Sequence, residues 1–450
     1  MTAAARLLPG ALATLLFLGA ALWNGYVLLY YDSVDYIYLP FDWEDLPAYR
    51  TAAYAVVTTL GKLAGSLWAV ILFQCLATAY VLHEALEAFV PGRTEWLVPQ
   101  VALLLTLCTG LPWFTGQLMP DAFTGPVVMG FMVLAFGRED LPAWRRLLLV
   151  ALVTAGTAVH TSHVGLVVGL ILSLGLLRLA LRRRWPEFRP RLGVPALTVV
   201  LALGFIVATH WVTQGRPFLA QPTHMLWLAR LVQDGIAKRF LDDVCPTRAE
   251  EFKLCPYKDD LPPLANDFLW HGLSVIHKLG GWEGLQGEAQ VIIRESIRRY
   301  PLLHARALAV LTAEQLVMFR TGDGIISMRW MVGDVMRQYY PNEAKAVSAA
   351  RQEKGISFRE MNWFHIPFLA AAQLALFPLL VWSWRRRDRV SFALAATLLL
   401  ALLGNAFICG ALSNPNHRYQ GRIVWVAVVV VAIGLSRFRD AAARAEPDRH

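Results

Sequence analysis

Charged residues are scarce in this chain. Asp, Glu, Lys and Arg make up 17% of its 450 residues, whereas soluble domains carry roughly a quarter. Hydrophobic residues make up 56%, and they fall into repeated runs close to the roughly 20 residues that a helix needs to cross a bilayer. The scarcity of charge therefore excludes an ordinary soluble domain, and we expect an all-α, polytopic helical membrane protein.

The sequence also lacks the short motifs of several enzyme classes. It contains no Walker P-loop, no HExxH motif and no GxSxG nucleophile elbow. Only five cysteines are present, and Cys75, Cys108 and Cys409 fall in apolar runs where they are expected to fill core space. Cys245 and Cys255 lie in a polar segment and can form a disulfide if that segment is extracytoplasmic. A zinc pair is less favoured, because no CxxC or nearby His pair accompanies them.

About ten apolar stretches, within a range of nine to twelve, are predicted to cross the membrane. They are residues 7–29, 66–88, 97–114, 122–137, 146–160, 164–181, 193–212, 363–384, 390–411 and 422–437. The first is too long for a cleaved signal peptide, and no A-x-A site follows it, so we expect it to be retained.

The arginines are distributed unevenly among the joins between these stretches. They collect near Arg93, in 138–146, 178–191 and 385–389, and in the C-terminal tail. These joins share one side, which the positive-inside rule assigns to the cytoplasm together with both termini. The net charge of +9 is thus explained by topology and not by a basic binding face, and no nucleic-acid partner is expected.

The same topology divides the chain into three parts. Residues 1–212 are expected to form an N-terminal transmembrane module with acidic outer loops. Residues 213–361 are expected to form an extracytoplasmic, mostly helical segment between spans. Residues 362–450 are expected to form the C-terminal transmembrane helices and a cytoplasmic tail.

An acidic stretch follows the first span at once. Residues 30–40, YYDSVDYIYLP, place Asp32 and Asp35 where the chain leaves the bilayer. Three residues apart, the two carboxylates would share one face of a helical turn. Ionisable groups at such a position are a functional hypothesis by default, and a partly desolvated carboxylate can act as a general base. Helix capping or a solvated loop is the alternative interpretation.

Two further outer joins carry polar groups. Asp121, in the sequence QLMPD, can cap the next helix or face Asp35 as a metal ligand or an orienting carboxylate. His160 and His163, in HTSH, can ligate a metal or hold a phosphate, although a buried histidine is often simply hydrogen-bonded. Asp35, Asp121 and His163 would form a partial ligand set for a divalent metal, which is the only cofactor that the sequence suggests.

The last outer join breaks the charge rule. The outer joins are nearly free of Lys and Arg apart from Arg50, Arg418 and Arg422. Arg418 and Arg422 are four apart in NPNHRYQGR and would project together from a helix start. Guanidinium forks suit phosphate oxygens, so we expect an anion site here that also includes His417 and Tyr419. Snorkelling to the membrane interface is the alternative.

This layout resembles the GT-C superfamily of polytopic glycosyltransferases, including the bacterial aminoarabinose and mannosyl transferases. The resemblance rests on YYDSVDY directly after the first span, LMPD in the next acidic outer loop and NHRYQGR before a late span. It implies a polyprenyl-phosphate-linked sugar donor, a lipid, glycan or protein acceptor, and work on the outer face of a bacterial inner membrane. It also implies that Asp35 or Asp32 is the general base, with Asp35 favoured, and that Asp121 orients the acceptor or a metal. Arg418 and Arg422 would bind the lipid phosphate.

The chain departs from that family at three points, one of which is that the segment 213–361 lies between spans and not as a C-terminal soluble domain. The first loop lacks the adjacent Asp-Glu pair of several members, and the outer segment lacks a WWDYG-type motif, which argues against asparagine-linked glycan transfer. Two alternatives remain open. One is a transporter or flippase of a lipid-linked or anionic substrate, although no internal repeat is visible, and the other is a non-enzymatic envelope assembly protein. The geometric expectation is that Asp35, Asp121 and Arg418 line one outward-facing cavity.

Overall fold

The computed structural model describes residues 3–44, 46, 50–137, 141–219 and 223–445. Within these ranges the regular structure is helical, and β-type pairing is limited to an isolated parallel bridge between Leu28 and Gln117. The expectation of an all-α chain is confirmed for this part of the sequence. Residues 138–140 of one arginine-bearing join, and 446–450 of the tail, lie outside the described residues.

The helices range from four to 28 residues in length. In chain order they are α1 (Ala3–Asn24), α2 (Ser33–Tyr38), α3 (Ala52–Ala64), α4 (Trp68–Phe89), α5 (Thr94–Cys108), α6 (Leu111–Thr115), α7 (Thr124–Phe136), α8 (Ala143–Ala158), α9 (Thr161–Leu181), α10 (Gly193–Gln214), α11 (Thr223–Gln233), α12 (Ile236–Arg248), α13 (Ala265–Trp270), α14 (Val275–Lys278), α15 (Gly281–Arg299), α16 (Pro301–Val317), α17 (Arg329–Tyr339), α18 (Ala344–Ala349), α19 (Arg359–Arg386), α20 (Arg389–Ala406), α21 (His417–Val424) and α22 (Val426–Ala445). Single turns of 3₁₀-helix lie at Pro120–Phe123, Ala249–Glu251, Cys255–Tyr257 and Arg351–Lys354, and a π-helical turn follows α20 at Phe407–Ala411.

Six helical stretches in the described chain are long and apolar enough to cross a membrane. They are α4, α9, α10, α19, α20 with its π turn, and α21 continued by α22. Six of the ten predicted stretches coincide with these helices. The predicted stretches 7–29, 97–114 and 122–137 contain shorter apolar helices, and 146–160 coincides with α8, which has 16 residues. The total of about ten spans therefore stays a prediction.

The buried apolar side chains form two large cores. The larger core joins the long apolar helices, and it also includes Met328, Val332 and Met336 around α17. The second core is built from α11 to α15, with Phe240 and Phe268 fully buried within it. The segment 213–361 thus packs in two ways. Its first part has a core of its own, and its last part belongs to the main core.

The second core contains the suggested cysteine pair. Cys245 of α12 forms a disulfide with Cys255 at the start of a 3₁₀ turn. The loop that the bond closes contributes Phe252 and Leu254 to this core. Cys75, Cys108 and Cys409 are free and buried, as expected for residues in apolar runs.

Candidate functional site

Backbone pairing joins the first two acidic loops. The amide of Leu28 donates to the carbonyl of Gly116 at 2.9 Å, and the amide of Leu118 donates to the carbonyl of Leu28 at 2.9 Å. The Ser33 hydroxyl adds a bond to the carbonyl of Leu118 at 2.9 Å. These contacts fix the loop that carries Asp32 directly against the loop that carries Asp121.

A capped helix start brings in the third segment. The Asn416 side chain accepts from the amide of Arg418 and so begins α21, an N-cap arrangement that asparagine favours. The side chain of Gln315 on α16 holds the backbone of Asn416 in place. Its Nε2 donates to the Asn416 carbonyl, and its Oε1 accepts from the Asn416 amide, each at 2.8 Å. Arg418 and Arg422, one helical turn apart, consequently both face Asp121.

Arg422 is the structural partner of Asp121. Its Nη1 lies 2.6 Å from Asp121 Oδ1, and both side chains are almost completely buried. Its Nη2 donates to Ser162 Oγ and to Asn405 Oδ1, each at 3.1 Å, and lies at the same distance from the Cys409 sulfur. A guanidinium with this many partners is held by the protein itself, as buried charges require.

Arg418 is held differently. Within the described chain its side chain makes no hydrogen bond, and its Nε is buried without a partner. Its Nη2 is 3.6 Å from Asp121 Oδ2 and 3.7 Å from Asp32 Oδ2, distances too long for good hydrogen bonds. The guanidinium lies 4.2 Å from the centre of the Tyr30 ring. Arg422 Nε is also buried without a partner, but the other guanidinium nitrogens of Arg422 are bonded, whereas no side-chain nitrogen of Arg418 makes a hydrogen bond within the described residues. Since buried donors are normally satisfied, Arg418 has hydrogen-bonding capacity left for a ligand.

Asp32 and Asp35 meet at an arginine that the sequence did not place in the site. Arg50 Nη2 lies 3.0 Å from Asp32 Oδ1, and Arg50 Nε lies 2.5 Å from Asp35 Oδ2. The Arg50 Nη1 also donates to the Tyr36 hydroxyl at 3.2 Å. The available signal was its breach of the positive-inside rule, which Arg50 shares with Arg418 and Arg422.

The pKa values of the two carboxylates shift in opposite directions because their surroundings differ. Burial raises the pKa of Asp35 above its usual value, and the guanidinium of Arg50 offsets this only in part. Burial acts on Asp32 in the same direction, but Arg50 and Arg418 together outweigh it and hold the pKa of Asp32 below its usual value. Asp32 is therefore ionised at neutral pH, and it is the more exposed of the two, at 30% against 14% for Asp35.

The two histidines stabilise the local backbone. His163 is buried, and its Nδ1 donates to the carbonyl of Gly156 at 2.7 Å while its Nε2 accepts from the Thr124 hydroxyl at 2.7 Å. Both ring nitrogens are thus used within the protein. His160 caps α9, because its Nδ1 accepts from the amide of Ser162 at 3.1 Å. Its ring is partly exposed and lies 5.4 Å from that of His163.

The remaining members of the predicted anion site take separate positions. The Tyr419 ring lies 5.1 Å from the guanidinium of Arg418 and 5.3 Å from that of Arg422. His417 accepts from the amide of Arg320 at 3.2 Å through Nδ1. Tyr419 therefore borders the arginine pair, whereas His417 anchors the neighbouring loop.

The suggested metal ligands do not come together. In the ranges that the structure describes, no group of three or more His, Cys, Asp or Glu side chains is placed to hold a metal ion. Asp35 is bonded to Arg50, Asp121 to Arg422, and both nitrogens of His163 are occupied. The structure therefore does not bring Asp35, Asp121 and His163 together as a ligand set, because each of these side chains has a different partner.

The expectation that Asp35, Asp121 and Arg418 line one outward-facing cavity stays a prediction, but the structure brings these residues into one connected group. Arg418 stands between Asp121 and Asp32, and Asp35 is connected to this group through Arg50. Sequence reasoning missed Arg50, Tyr30 and Asn405. Tyr30 opens the stretch YYDSVDY, but nothing in that stretch assigns its ring a role, and no local motif marks Asn405. Both contact the arginines because α21 packs against them.

Comparison with known proteins found no match for this chain. No protein-family model matches the chain, and neither a curated protein nor a solved structure matches it at a significant level.

Proposed function

We propose that this protein is a membrane glycosyltransferase that moves a sugar from a polyprenyl-phosphate donor to a hydroxyl group of a lipid, glycan or protein acceptor. The observation that carries the proposal is Arg418, a buried guanidinium with unused donors between two carboxylates. Guanidinium donors match phosphate oxygens in geometry and charge. A phosphate that enters this position would gain hydrogen bonds that the protein does not supply.

The departure of the lipid phosphate explains why the site would need a fixed positive charge at Arg418. When the bond between the anomeric carbon and the phosphate oxygen breaks, the electron pair and negative charge pass to the lipid phosphate. Arg418 is held in place beforehand by Tyr30 and by the pair of Asp121 with Arg422. Charge that is oriented before the reaction stabilises such a transition state without reorganisation.

Asp32 is the better candidate for the general base. Arg50 pairs with both carboxylates, at 3.0 Å from Asp32 Oδ1 and 2.5 Å from Asp35 Oδ2. Asp32 is ionised, is more exposed than Asp35 and lies next to Arg418. In the proposed step Asp32 takes the proton of the acceptor hydroxyl as that oxygen bonds to the anomeric carbon. Asp35 then serves as a positioning residue, because it fixes Arg50 and so the orientation of Asp32.

The setting of the site agrees with a lipid-linked donor. Arg422 lies at the start of the last apolar helix, and Ser162 and Asn405 lie at the ends of two others. A polyprenyl chain at this level would remain among apolar helices while its phosphate reaches Arg418. In this proposal the chain crosses a bacterial inner membrane about ten times, with both termini in the cytoplasm and the site on the outer face.

The experiment is transfer of radiolabelled sugar from polyprenyl-phosphate donors by purified protein in proteoliposomes. Asp32→Asn keeps the shape of the side chain and removes the base, so we expect activity to fall at least a hundredfold, in line with the usual contribution of general-base catalysis. Asp35→Asn should lower activity less, because it acts through Arg50. Asp42→Asn is the matched control, as Asp42 lies on the same outer loop and has no ion pair within the described residues.

The outcomes separate the proposal from its alternatives. Loss in Asp32→Asn with normal activity in Asp42→Asn, at equal expression and stability, supports the mechanism. Full activity in Asp32→Asn would refute its role as base. Movement of the intact donor across the bilayer without sugar transfer would identify a flippase instead.

A further inference from the structure

A second set of arginines lies at the opposite end of the same membrane helices. α9 begins beside the candidate site at Ser162 and ends before Arg184, and α20 begins at Arg389 and ends beside the site at Asn405. A helix of this length spans about 30 Å. The arginine joins after α9 and α19 are therefore one membrane thickness away from Arg418.

A groove of about 590 Å³ lies where these two joins meet. It is lined by Arg184, Trp185, Pro186, Glu187, Arg387 and Arg389. The three arginines are exposed, and none of them forms an ion pair within the part of the chain that the structure describes. Glu187 is the one carboxylate in this lining, so the groove carries an excess of positive charge.

Packing holds these like charges together. Arg387 donates from Nη1 to the carbonyl of Arg184 at 2.8 Å, and its guanidinium lies 5.5 Å from the centre of the Trp185 ring. Trp185 is buried against Trp384 and Phe392, with ring centres 5.2 and 4.8 Å away. The aromatic contacts therefore fix the two arginine loops against each other despite their mutual repulsion.

The backbone at Arg387 is also unusual for an arginine. It ends α19 in the left-handed conformation, with φ at +57°, and its amide bonds to the carbonyls of Ser383 and Trp384. Glycine is the residue that normally takes this position at a helix end. The chain instead carries a guanidinium there, which points over the groove floor at Trp185.

Apolar surface continues from the groove along the membrane helices. α9 and α19 are the least buried of the candidate spans, at 22% and 17% of their apolar windows. Leu176 and Leu179 of α9 and Phe377 and Val381 of α19 are exposed on the last turns before the arginines. This surface suits acyl chains, whereas a soluble anion would make no use of it.

We propose that the groove binds the headgroup phosphate of an anionic phospholipid, whose acyl chains lie on α9 and α19. Basic pockets between membrane helices are suited to such headgroups. Arg387 and Arg389 would contact the phosphate, and Arg184 would close the groove from the facing loop. The lipid would neutralise the repulsion between the two joins and so stabilise their contact.

The test is lipid binding by the full-length protein, measured by native mass spectrometry and by thermal unfolding in nanodiscs. The probes are dioleoyl-phosphatidylglycerol and dioleoyl-phosphatidylcholine, which differ in headgroup charge. We expect clear selectivity for phosphatidylglycerol in the wild type. Each guanidinium near a membrane surface contributes about fivefold in affinity, so Arg387→Gln with Arg389→Gln should weaken this binding about thirtyfold.

Two controls separate a built site from general attraction. Arg294→Gln with Arg298→Gln removes the same charge from exposed positions on α15, and Arg182→Gln with Arg183→Gln removes it beside the groove but outside its lining. Both should retain most of the selectivity. An equal loss in the second control, or no preference for phosphatidylglycerol in the wild type, would overturn the proposal. Equal stabilisation by inorganic phosphate would also overturn it, by showing a soluble-anion site.

Discussion

Arg418 and Arg422 are one helical turn apart, yet their replacement should have opposite consequences. Arg422→Gln leaves Asp121, which is 2% exposed, without its direct partner at 2.6 Å. Breaking a buried ion pair in this way costs about 3–5 kcal/mol. Asn405 and Ser162 would lose their donor at the same time. We therefore expect a severely destabilised protein.

Arg418→Gln removes weaker contacts. The ion pairs at 3.6 and 3.7 Å are long, and both carboxylates keep a second guanidinium, since Asp121 retains Arg422 and Asp32 retains Arg50. The contact with the Tyr30 ring contributes about 0.5–2 kcal/mol. We expect a total cost of about 1–2 kcal/mol, which is about 2–3 kcal/mol less than for Arg422→Gln.

Among correctly folded molecules, Arg418→Gln should impair sugar transfer more than Arg422→Gln. Arg418→Gln forfeits charge-assisted hydrogen bonds to the donor phosphate, worth about 1.5–3 kcal/mol, so KM for the donor should rise about 10- to 150-fold. Stability is measured by tryptophan fluorescence during unfolding in detergent, and donor KM by sugar transfer. Equal destabilisation by the two substitutions, or an unchanged KM in Arg418→Gln, would refute the division of roles.

Two further predictions follow from the same contacts. Arg50→Gln removes a cation that lowers the pKa of Asp32, so the acid limb of the pH–rate profile should move to higher pH. The lowered pKa of Asp32 also stabilises the wild-type fold. This stabilisation is present above pH about 4 and is lost as the pH falls through the pKa of Asp32 in the folded protein. An unmoved acid limb would contradict this linkage. Gly324→Ala would place a Cβ 1.9 Å from the ring of Tyr30 and should raise donor KM about two- to thirtyfold, the range of the cation–π contact with that ring. Gly355→Ala is its control, because its φ of +84° imposes similar strain with no atom within 4 Å; equal effects of the two would show that only backbone strain is involved.

The sequence predicts which residues belong to the site better than it predicts which of them are direct partners. Asp32, Asp121, Arg418 and Arg422 were singled out because charge in outer joins is costly and therefore informative. That reasoning depends on one residue at a time. It could not reveal that Arg422, and not Arg418, is the direct partner of Asp121, since this depends on the packing of α21 against the 3₁₀ turn at Pro120–Phe123.

The suggested metal ligands, which the structure does not bring together, illustrate the same limit of sequence spacing. Asp35 and His163 are side chains of types that bind metals, but here the carboxylate pairs with a neighbouring cation and the buried imidazole bonds a neighbouring carbonyl and hydroxyl. Those neighbours are Arg50, Gly156 and Thr124, which come from other segments of the chain. Spacing along the sequence contains no information on them.

The fold shows a similar division. Long apolar runs such as Thr161–Leu181 and Gly193–Gln214 were located to within a few residues because hydrophobicity and length determine them. The two-core packing of 213–361 was not predicted. The apolar residues around α17 look like those of α11 to α15 in sequence, and only the tertiary contacts assign them to different cores.

The central claim is that Arg418 binds the phosphate of a polyprenyl donor, and its most direct test is the affinity for polyprenyl phosphate against polyprenol of the same chain length. The wild type should bind the phosphate at least tenfold more tightly. Arg418→Gln should abolish this advantage, whereas Arg359→Gln, at an exposed position on α19, should preserve it. Equal affinity of the wild type for the two lipids, or an undiminished phosphate preference in Arg418→Gln, would contradict the account.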